Sequence, residues 1–283
     1  MAGTSDADRP RLADVLDRAY PVRDGIVEAH PGRAGELPPR GPAGWVNDSA
    51  LTARAYEPLW RHRSLGLLTR GATSTAHELR TLRAWVAGAV GAPADPRPLA
   101  GVRVLDVGCS AGLYARTLAA DGADMVALDA SRAFLREAGR RAARAGLDVA
   151  LVRADAHALP FVADTFDAAV LGATLNELGD PPRAFAELAR VVRPGGVLWT
   201  MYAARAAGVA RAGQALLERG GTRFPAPEQV DAWAAAAGFA PLRRATHGPV
   251  ALALYRLGAG APPLAVSSPS PGWEAGSGQP SAT

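Results

Sequence analysis

Short hydrophobic runs alternate with amphipathic segments over residues 102–257. The runs that predict strands lie at 102–107, 125–129, 148–154, 167–172 and 196–203. Helical spacing of apolar positions follows at 115–120, 131–146 and 182–192. Strands separated by helices in this way predict βαβ units and a doubly wound, mostly parallel sheet. A helix near 228–237 precedes two last strands near 241–246 and 250–257, which are close enough for a hairpin with an antiparallel edge strand. We therefore expect an α/β fold with a seven-stranded sheet.

Helical patterns also precede the first of these strands. Thr75 and Glu78 have the spacing of a capping box, and apolar residues follow at helical intervals to about residue 90. The segment 51–63 is also helix-like but is interrupted at Pro58. We expect residues 48–92 to form a helical cap on the sheet domain.

Composition divides the chain into three parts. Residues 1–47 are rich in Pro, Gly and charge and are expected to be an irregular arm. Residues 48–258 carry the periodic pattern of one domain. Residues 259–283 are rich in Pro, Gly, Ser and Ala and are expected to be a disordered tail.

Composition also excludes several classes of protein. Cys109 is the single cysteine, which excludes an internal disulfide and a cysteine-based zinc site, so no metal is expected. No apolar run is long enough to span a membrane, and no signal peptide is evident at residues 1–11, so we expect a cytoplasmic protein. All 31 basic residues are arginine and the net charge is only +4, which permits nucleic-acid binding without arguing for it.

The segment 104–115, VLDVGCSAGLYA, is the strongest local signal for a ligand site. A strand ends at Asp106, and a turn containing Gly108 and Gly112 leads into a helix. Glycines let a backbone approach a ligand closely, and ligands of open α/β sheets bind at the carboxyl ends of strands. A dinucleotide fingerprint needs a middle glycine, and Ser110 stands there instead. Asp106 is also unfavourable for phosphates but suits an ammonium group, so the charge pattern favours S-adenosylmethionine (SAM) over a dinucleotide.

Two further acids end the next two strands. Asp129 stands where an acid accepts hydrogen bonds from ribose hydroxyls, which by itself does not separate NAD from SAM. Asp155 follows the third strand and is placed to accept from the adenine amino group. The alternative is that acids at strand ends are ordinary caps and turn formers. Three such acids beside one glycine turn favour a binding site.

The chain resembles the class I SAM-dependent methyltransferases over about residues 45–257. Within them it is similar to the small-molecule branch that includes the ubiquinone and menaquinone C-methyltransferases. The matching motifs are LDVGCSAGLYA (105–115), ALDASRAFL (127–135), RADAHALPFVADTFDAAV (153–170) and ELARVVRPGG (187–196).

The resemblance implies a site for SAM along these motifs. The methionine end of SAM would be lined by the glycine turn, and the residues after the fourth strand, 172–176, would lie beside the methyl donor. Ribose and adenine would contact the segments after the second and third strands. The cofactor-binding candidates are Asp106, Gly108, Cys109, Ser110, Gly112, Asp129, Ala130, Asp155, Ala156, Gly172 and Thr174.

Two N-terminal segments carry further resemblances. Residues 57–78 are similar to a cap that closes over SAM in relatives, which makes Tyr56, Trp60 and Arg70 candidates for acceptor contacts. Simple packing of an aromatic helix explains them equally well. Residues 19–27 resemble the end of a zinc ribbon, here without cysteines, and we interpret them as a metal-free relic.

Methyl transfer is an in-line displacement, so positioning is the main task of the protein. Asn176 and Tyr202 follow the fourth and fifth strands and are candidates for the acceptor site; Glu177, His157 and Arg205 are nearby candidates. Each of these residues has an ordinary structural explanation, so no general base is assigned. Cys109 is interpreted as a packing residue.

The resemblance, together with the mostly apolar N-terminal segment, implies SAM-dependent methyl transfer to carbon or oxygen of a small, hydrophobic or aromatic acceptor, by a monomer or homodimer. An RNA methyltransferase and a non-catalytic SAM-binding accessory protein are the alternatives. Four arginines recur at every fourth position from Arg132 to Arg144. Such a face contacts phosphates in some proteins, but a solvated helix face is the better explanation, and no nucleic-acid partner is expected.

Overall fold

The computed structural model describes most of the periodic segment and part of the N-terminal arm. The described residues are 12–30, 49–55, 57, 65, 66, 69, 71–92 and 96–259. The expected disorder of the tail therefore concerns residues that are almost all outside the described ranges. Tyr56, Trp60 and Arg70 also lie outside them.

Helices and strands alternate as the hydrophobic pattern predicts. The helices are α1 Leu12–Val15, α2 Ala50–Ala55, α3 Thr75–Ala89, α4 Leu113–Ala120, α5 Arg132–Arg144, α6 Pro181–Val191, α7 Val209–Glu218 and α8 Pro227–Ala236, with a 3-10 helix at Thr174–Asn176. The strands are β1 Val22–Arg23, β2 Ile26–Glu28, β3 Arg103–Val107, β4 Asp124–Asp129, β5 Ala150–Arg153, β6 Phe166–Leu171, β7 Val192–Ala203, β8 Phe239–His247 and β9 Val250–Leu257. Helix α7 is the one long element that the sequence patterns did not predict.

The described strands form a single sheet in the order β1-β2-β5-β4-β3-β6-β7-β9-β8. Strands β2 to β7 run parallel, with Leu105 opposite both Val126 of β4 and Ala169 of β6. Strand β9 pairs antiparallel with β7 and with β8, as expected for the C-terminal hairpin. The predicted fold class, a doubly wound and mostly parallel α/β sheet, is confirmed.

The sheet has nine strands rather than seven, because part of the N-terminal arm joins it. Strands β1 and β2 form a hairpin, and β2 pairs parallel with β5 at the sheet edge. Asp24 and Gly25 form the hairpin turn with φ of 55° and 74°, the left-handed backbone that an Asp-Gly turn favours. Ile26 is fully buried. The expectation of an irregular arm is therefore wrong for residues 22–28.

Helices pack on both faces of the sheet. On one face α3, α4 and α5 bury Leu82, Leu118 and Leu135 against the strands. On the other face α6 and α8 bury Phe185 and Val230. None of the helices in the described ranges combines the length and the apolar character needed to cross a bilayer.

Caps set the start of two helices that border the carboxyl edge of the sheet. The Asp180 side chain accepts a hydrogen bond from the Arg183 N–H and begins α6, as the Asp-Pro-Pro sequence indicates. Helix α3 begins one residue earlier than predicted, because Ser74 rather than Thr75 is its cap and accepts from the His77 N–H. Thr75 is therefore not the cap that the predicted capping box required. The Glu78 side chain is buried and accepts a hydrogen bond from the Tyr114 hydroxyl.

Candidate cofactor site

The turn after β3 is held rigidly against the end of β4. The N–H groups of Gly108 and Cys109 both donate to the carbonyl oxygen of Leu128, at 2.8 and 3.0 Å. Gly108, Ser110 and Gly112 all have positive φ, of 70°, 48° and 77°. A serine at positive φ is strained, which a turn tolerates when its neighbours hold it in place.

Neighbouring residues leave no room for a side chain at either glycine of the turn. A Cβ at Gly108 would clash with the side chain of Thr174, whose hydroxyl donates to the Gly108 carbonyl oxygen at 3.2 Å. A Cβ at Gly112 would lie 2.9 Å from the Cβ of Ala138 on α5. The turn therefore keeps α4 close to α5, and it brings the segment after β6 against the segment after β3.

The carboxylate of Asp106 lies at the start of α4. Asp106 is 1% exposed, and its Oδ2 accepts a hydrogen bond from the Ala115 N–H at 3.1 Å. Free N–H groups at a helix N-terminus are what hold the pyrophosphate in a dinucleotide enzyme. Because a carboxylate of the protein already takes this place, the geometry disfavours a phosphate and suits a cation.

Asp129 lies on the other side of the same turn. Its Oδ2 accepts from the Ser110 N–H at 2.9 Å, and its Oδ1 accepts from the Ser131 N–H at 2.8 Å. The carbonyl oxygen of Ala130 accepts from Nε of Arg153 at 3.0 Å. These bonds fix the orientation of the Asp129 carboxylate at the tip of β4, beside the glycine turn.

Asp155 lies at the end of β5 and also supports its own loop. Its Oδ1 accepts from the His157 N–H at 3.0 Å and lies 2.6 Å from Nδ1 of His157. Nε2 of His157 accepts from the Asp180 N–H at 3.2 Å, so the ring proton is on Nδ1 and faces the carboxylate. His157 therefore links the loop after β5 to the start of α6. Ala156 is partly buried against the core.

Burial sets the state of the one cysteine. Burial raises the pKa of the Cys109 thiol well above its ordinary value, and the carboxylates of Asp129 and Asp106 raise it further. The thiol is therefore protonated at neutral pH and is a poor nucleophile, in keeping with the packing interpretation.

Comparison with known proteins decides what kind of domain this is. Residues 105–200 match the family model described as a methyltransferase domain. The methyltransferase that the motifs predicted is confirmed for this segment, which is called the methyltransferase domain below. SAM is the cofactor that this family implies.

Two named relatives match part of the chain and are methyltransferases by name. The chain is 42% identical over 99 residues to a demethylmenaquinone methyltransferase of Clavibacter sepedonicus, covering 35% of this chain and 40% of the relative. It is 34% identical over 107 residues to a ubiquinone biosynthesis O-methyltransferase of Sinorhizobium fredii, covering 38% of this chain and 43% of the relative. The chain thus spans less than half the length of the curated relatives it matches.

The fold also occurs with a different chemistry. The crystal structure of the 4+2 cyclase SpnF superposes with a TM-score of 0.53 at 23% identity, over 75% of this chain and 97% of that one. This likeness shows a shared fold alone, since a single fold supports many chemistries.

Two acceptor-site predictions around the methyltransferase domain need correction. The side-chain amide of Asn176 is 6% exposed; its Nδ2 donates to the carbonyl oxygens of Ala203 and Arg223, and its Oδ1 accepts from the Ala203 N–H. Both donors are thus committed to the backbone. Tyr202 is 1% exposed in the core on the α6 and α8 face. Neither side chain is placed to bind an acceptor, because Asn176 is hydrogen-bonded to the backbone and Tyr202 is packed in the core.

The described part of the helical cap docks on the glycine turn. Ala53 of α2 forms a small buried cluster with Ala111 of the turn and Phe134 of α5. The Glu57 carboxylate accepts two hydrogen bonds from Nη2 of Arg116, both at 2.8 Å, and lies 3.2 Å from Nη1 of Arg141. Glu57 therefore fastens the cap to α4 and α5, a role that its sequence context did not indicate.

Tyr114 is a second residue that the sequence analysis missed. Its ring lies against Gly172, where a Cβ would clash with it, and it packs edge-on against Trp199 at 5.2 Å between ring centroids. Its hydroxyl donates to the Glu78 carboxylate of α3. Gly172, which the resemblance places beside the methyl donor, therefore contacts Tyr114 of α4, and Glu78 of the cap holds the Tyr114 hydroxyl.

Proposed function

We propose that this protein transfers the methyl group of SAM to carbon or oxygen of a small-molecule acceptor. The observation that carries the proposal is the pair of carboxylates around the glycine turn. Asp106 occupies the N-terminus of α4, and Asp129 is held at the tip of β4 by two N–H groups. A cofactor with an ammonium and a sulfonium and without phosphate complements this arrangement.

The residues present fit SAM at this edge of the sheet. We propose that Asp106, Gly108, Cys109, Ser110 and Gly112 surround its methionine end. The segments after β4 and β5, with Asp129, Ala130, Asp155 and Ala156, hold the nucleoside. Gly172 and Thr174 face the methyl group. The cofactor supplies an electrophilic methyl on a sulfonium, and the protein supplies alignment.

The relatives, and not a catalytic side chain, support the proposed acceptor class. One relative named above is a demethylmenaquinone methyltransferase and the other is a ubiquinone biosynthesis O-methyltransferase. We propose a hydrophobic or aromatic small molecule as the acceptor. Further, we propose a monomer or homodimer in the cytoplasm and assign no general base.

Calorimetric titration with S-adenosylhomocysteine tests the cofactor site. We expect binding to the wild type and at least about tenfold weaker binding to Asp129→Ala, because hydrogen bonds to a charged group are lost. Asp148→Ala is the matched control, since Asp148 is an exposed acid just before β5. Equal affinity for both variants, or no binding to the wild type, contradicts the site.

Turnover separates an enzyme from a SAM-binding accessory protein. The protein incubated with labelled SAM and a cell extract that contains both metabolites and RNA should yield S-adenosylhomocysteine and a labelled small molecule. Binding without any turnover would favour the accessory role. Label found in RNA instead would favour the RNA alternative.

A further inference from the structure

A cavity opens just beyond the carboxyl end of β7. It encloses about 390 Å³ between the segment after β7, the loop before α8 and α8 itself. Sites for small molecules span roughly 300 to 1,000 Å³, so this cavity suits a molecule with one or two rings.

The charge of the cavity wall is positive. Arg205 and Arg223 line it, together with the carboxylate of Glu218. Glu218 forms an ion pair with Arg211 at 2.8 Å, which neutralises it. Arg205 has no ion pair within the described part of the chain, and Arg223 donates from Nη2 to the Gly179 carbonyl oxygen at 2.9 Å. A guanidinium has five N–H groups, so donors remain for an anion.

The remaining wall of the cavity includes apolar and aromatic side chains. Phe224 and Pro225 are buried, and the partly buried indole of Trp233 completes the lining. Trp233 also packs on Phe185 of α6, with ring centroids 6.5 Å apart, so the indole is held in place. Guanidinium groups beside a fixed aromatic wall complement a flat molecule that carries an anionic group.

The cavity is joined to the cofactor site by one short turn. The Arg223 N–H donates to the carbonyl oxygen of Asn176 at 2.7 Å, and the Arg205 N–H donates to that of Pro225 at 3.0 Å. Thr174, which contacts Gly108, is two residues from Asn176 in the same 3-10 helix. At about 2 Å rise per residue, the two positions are about 4 Å apart along that helix.

We propose that this cavity binds an aromatic carboxylate, with the carboxylate on Arg205 and Arg223 and the ring against Trp233. That this ligand is the methyl acceptor rests on the proposed function. The binding itself depends only on the cavity.

Titration of the full chain with matched probes tests the proposal. The probes are 2-naphthoate, its neutral amide 2-naphthamide and inorganic phosphate, each with and without saturating S-adenosylhomocysteine. We expect 2-naphthoate to bind at least about tenfold more tightly than either other probe. Absence of 2-naphthoate binding overturns the proposal. Equal binding of the amide removes the role of the charge, and equal binding of phosphate removes the role of the ring; either result also overturns it.

Variants assign the binding to the cavity. Arg205→Gln and Arg223→Gln should each weaken 2-naphthoate binding about tenfold and leave S-adenosylhomocysteine binding unchanged. Arg219→Gln is the control, since Arg219 is an exposed arginine near the cavity that does not line it. Unchanged 2-naphthoate affinity in both cavity variants overturns the assignment. If 2-naphthoate binds and S-adenosylhomocysteine does not, the proposed function fails while the cavity assignment stands.

Discussion

The side-chain amide of Asn176 pairs with the backbone of Ala203 in both directions, as a neighbouring strand would. Nδ2 donates to the Ala203 carbonyl oxygen at 2.8 Å, and Oδ1 accepts from the Ala203 N–H at 2.9 Å. A further bond from Nδ2 to the Arg223 carbonyl oxygen ties in the loop before α8. One side chain after β6 thus holds the end of β7 and the wall of the Arg205–Arg223 cavity.

Replacing Asn176 should therefore cost stability. We expect Asn176→Ala to lower the free energy of unfolding by about 3 kcal/mol, because buried backbone groups lose their partners. Asn176→Asp keeps the shape but cannot donate to the two carbonyl oxygens, so it should cost at least as much. Urea unfolding measures both. A fully stable Asp variant would show that shape alone matters.

Gly108 is expected to tolerate no side chain. Gly108→Ala places a Cβ at positive φ and against Thr174, which should cost about 2 kcal/mol or more and weaken S-adenosylhomocysteine binding. Thr174→Ala removes the hydroxyl and methyl that the new Cβ meets first. The double variant should regain part of the stability, as thermal unfolding would show. No recovery would mean that backbone strain rather than the clash dominates.

Cys109 should resist alkylation in the folded protein. Burial raises the pKa of its thiol, so the reactive thiolate is scarce at pH 8 and the sulfur is also shielded. Because Cys109 is the single cysteine, mass spectrometry after iodoacetamide treatment reports on this site alone. Urea-unfolded protein is the control and should react fully. Rapid labelling of the native protein would contradict the buried position.

The same raised pKa predicts a loss of stability in alkali. An unfolded thiol ionises near its ordinary pKa of 9.0, whereas the folded thiol stays protonated. The stabilisation is therefore fully present below pH 9 and is lost as pH rises above it. Cys109→Ala should show a shallower fall in the free energy of unfolding between pH 9 and 10. An unchanged slope would argue against a raised pKa.

Glu57 should control opening of the helical cap. Glu57→Gln weakens the charge-assisted bonds to Arg116 and Arg141, so amide hydrogens of α2 should exchange about tenfold faster. Glu218→Gln is the matched control, because it breaks a surface pair with Arg211 on α7. Exchange in α2 that is equally slow in both variants would show that apolar contacts of Ala53 hold the cap.

Two arginines of helix α5 form ion pairs with acids of the N-terminal hairpin. The arginine period of four residues on this helix predicted a solvated face. Arg136 and Arg144 are exposed, as a solvated face requires. In addition, Arg132 pairs with Glu28 at 2.8 Å and Arg136 with Asp24 at 2.6 Å, both in the N-terminal hairpin. These partners are more than 100 residues away in the chain, so no local pattern indicates them.

Local patterns determined the strands β3 to β9, most of the helices that pack on them and the order of the motifs. The spacing of apolar positions indicates which side of a strand or helix is buried. The glycine turn and the acids at the strand ends indicate the edge of the sheet at which a ligand binds. The hairpin of β1 and β2 was not predicted, because these strands are too short to show alternation. The Asp-Gly pair at residues 24 and 25 is typical of a hairpin turn, but the arm was expected to be irregular.

Tertiary structure alone decided what the polar side chains do. Asn176 and His157 had the sequence positions of site residues, and both serve to satisfy backbone groups. Tyr114, Glu57 and the cavity beside β7 had no sequence signal. A side chain's partners depend on which segments meet in space, and hydrogen bonds and burial between distant segments leave no periodic trace in the chain.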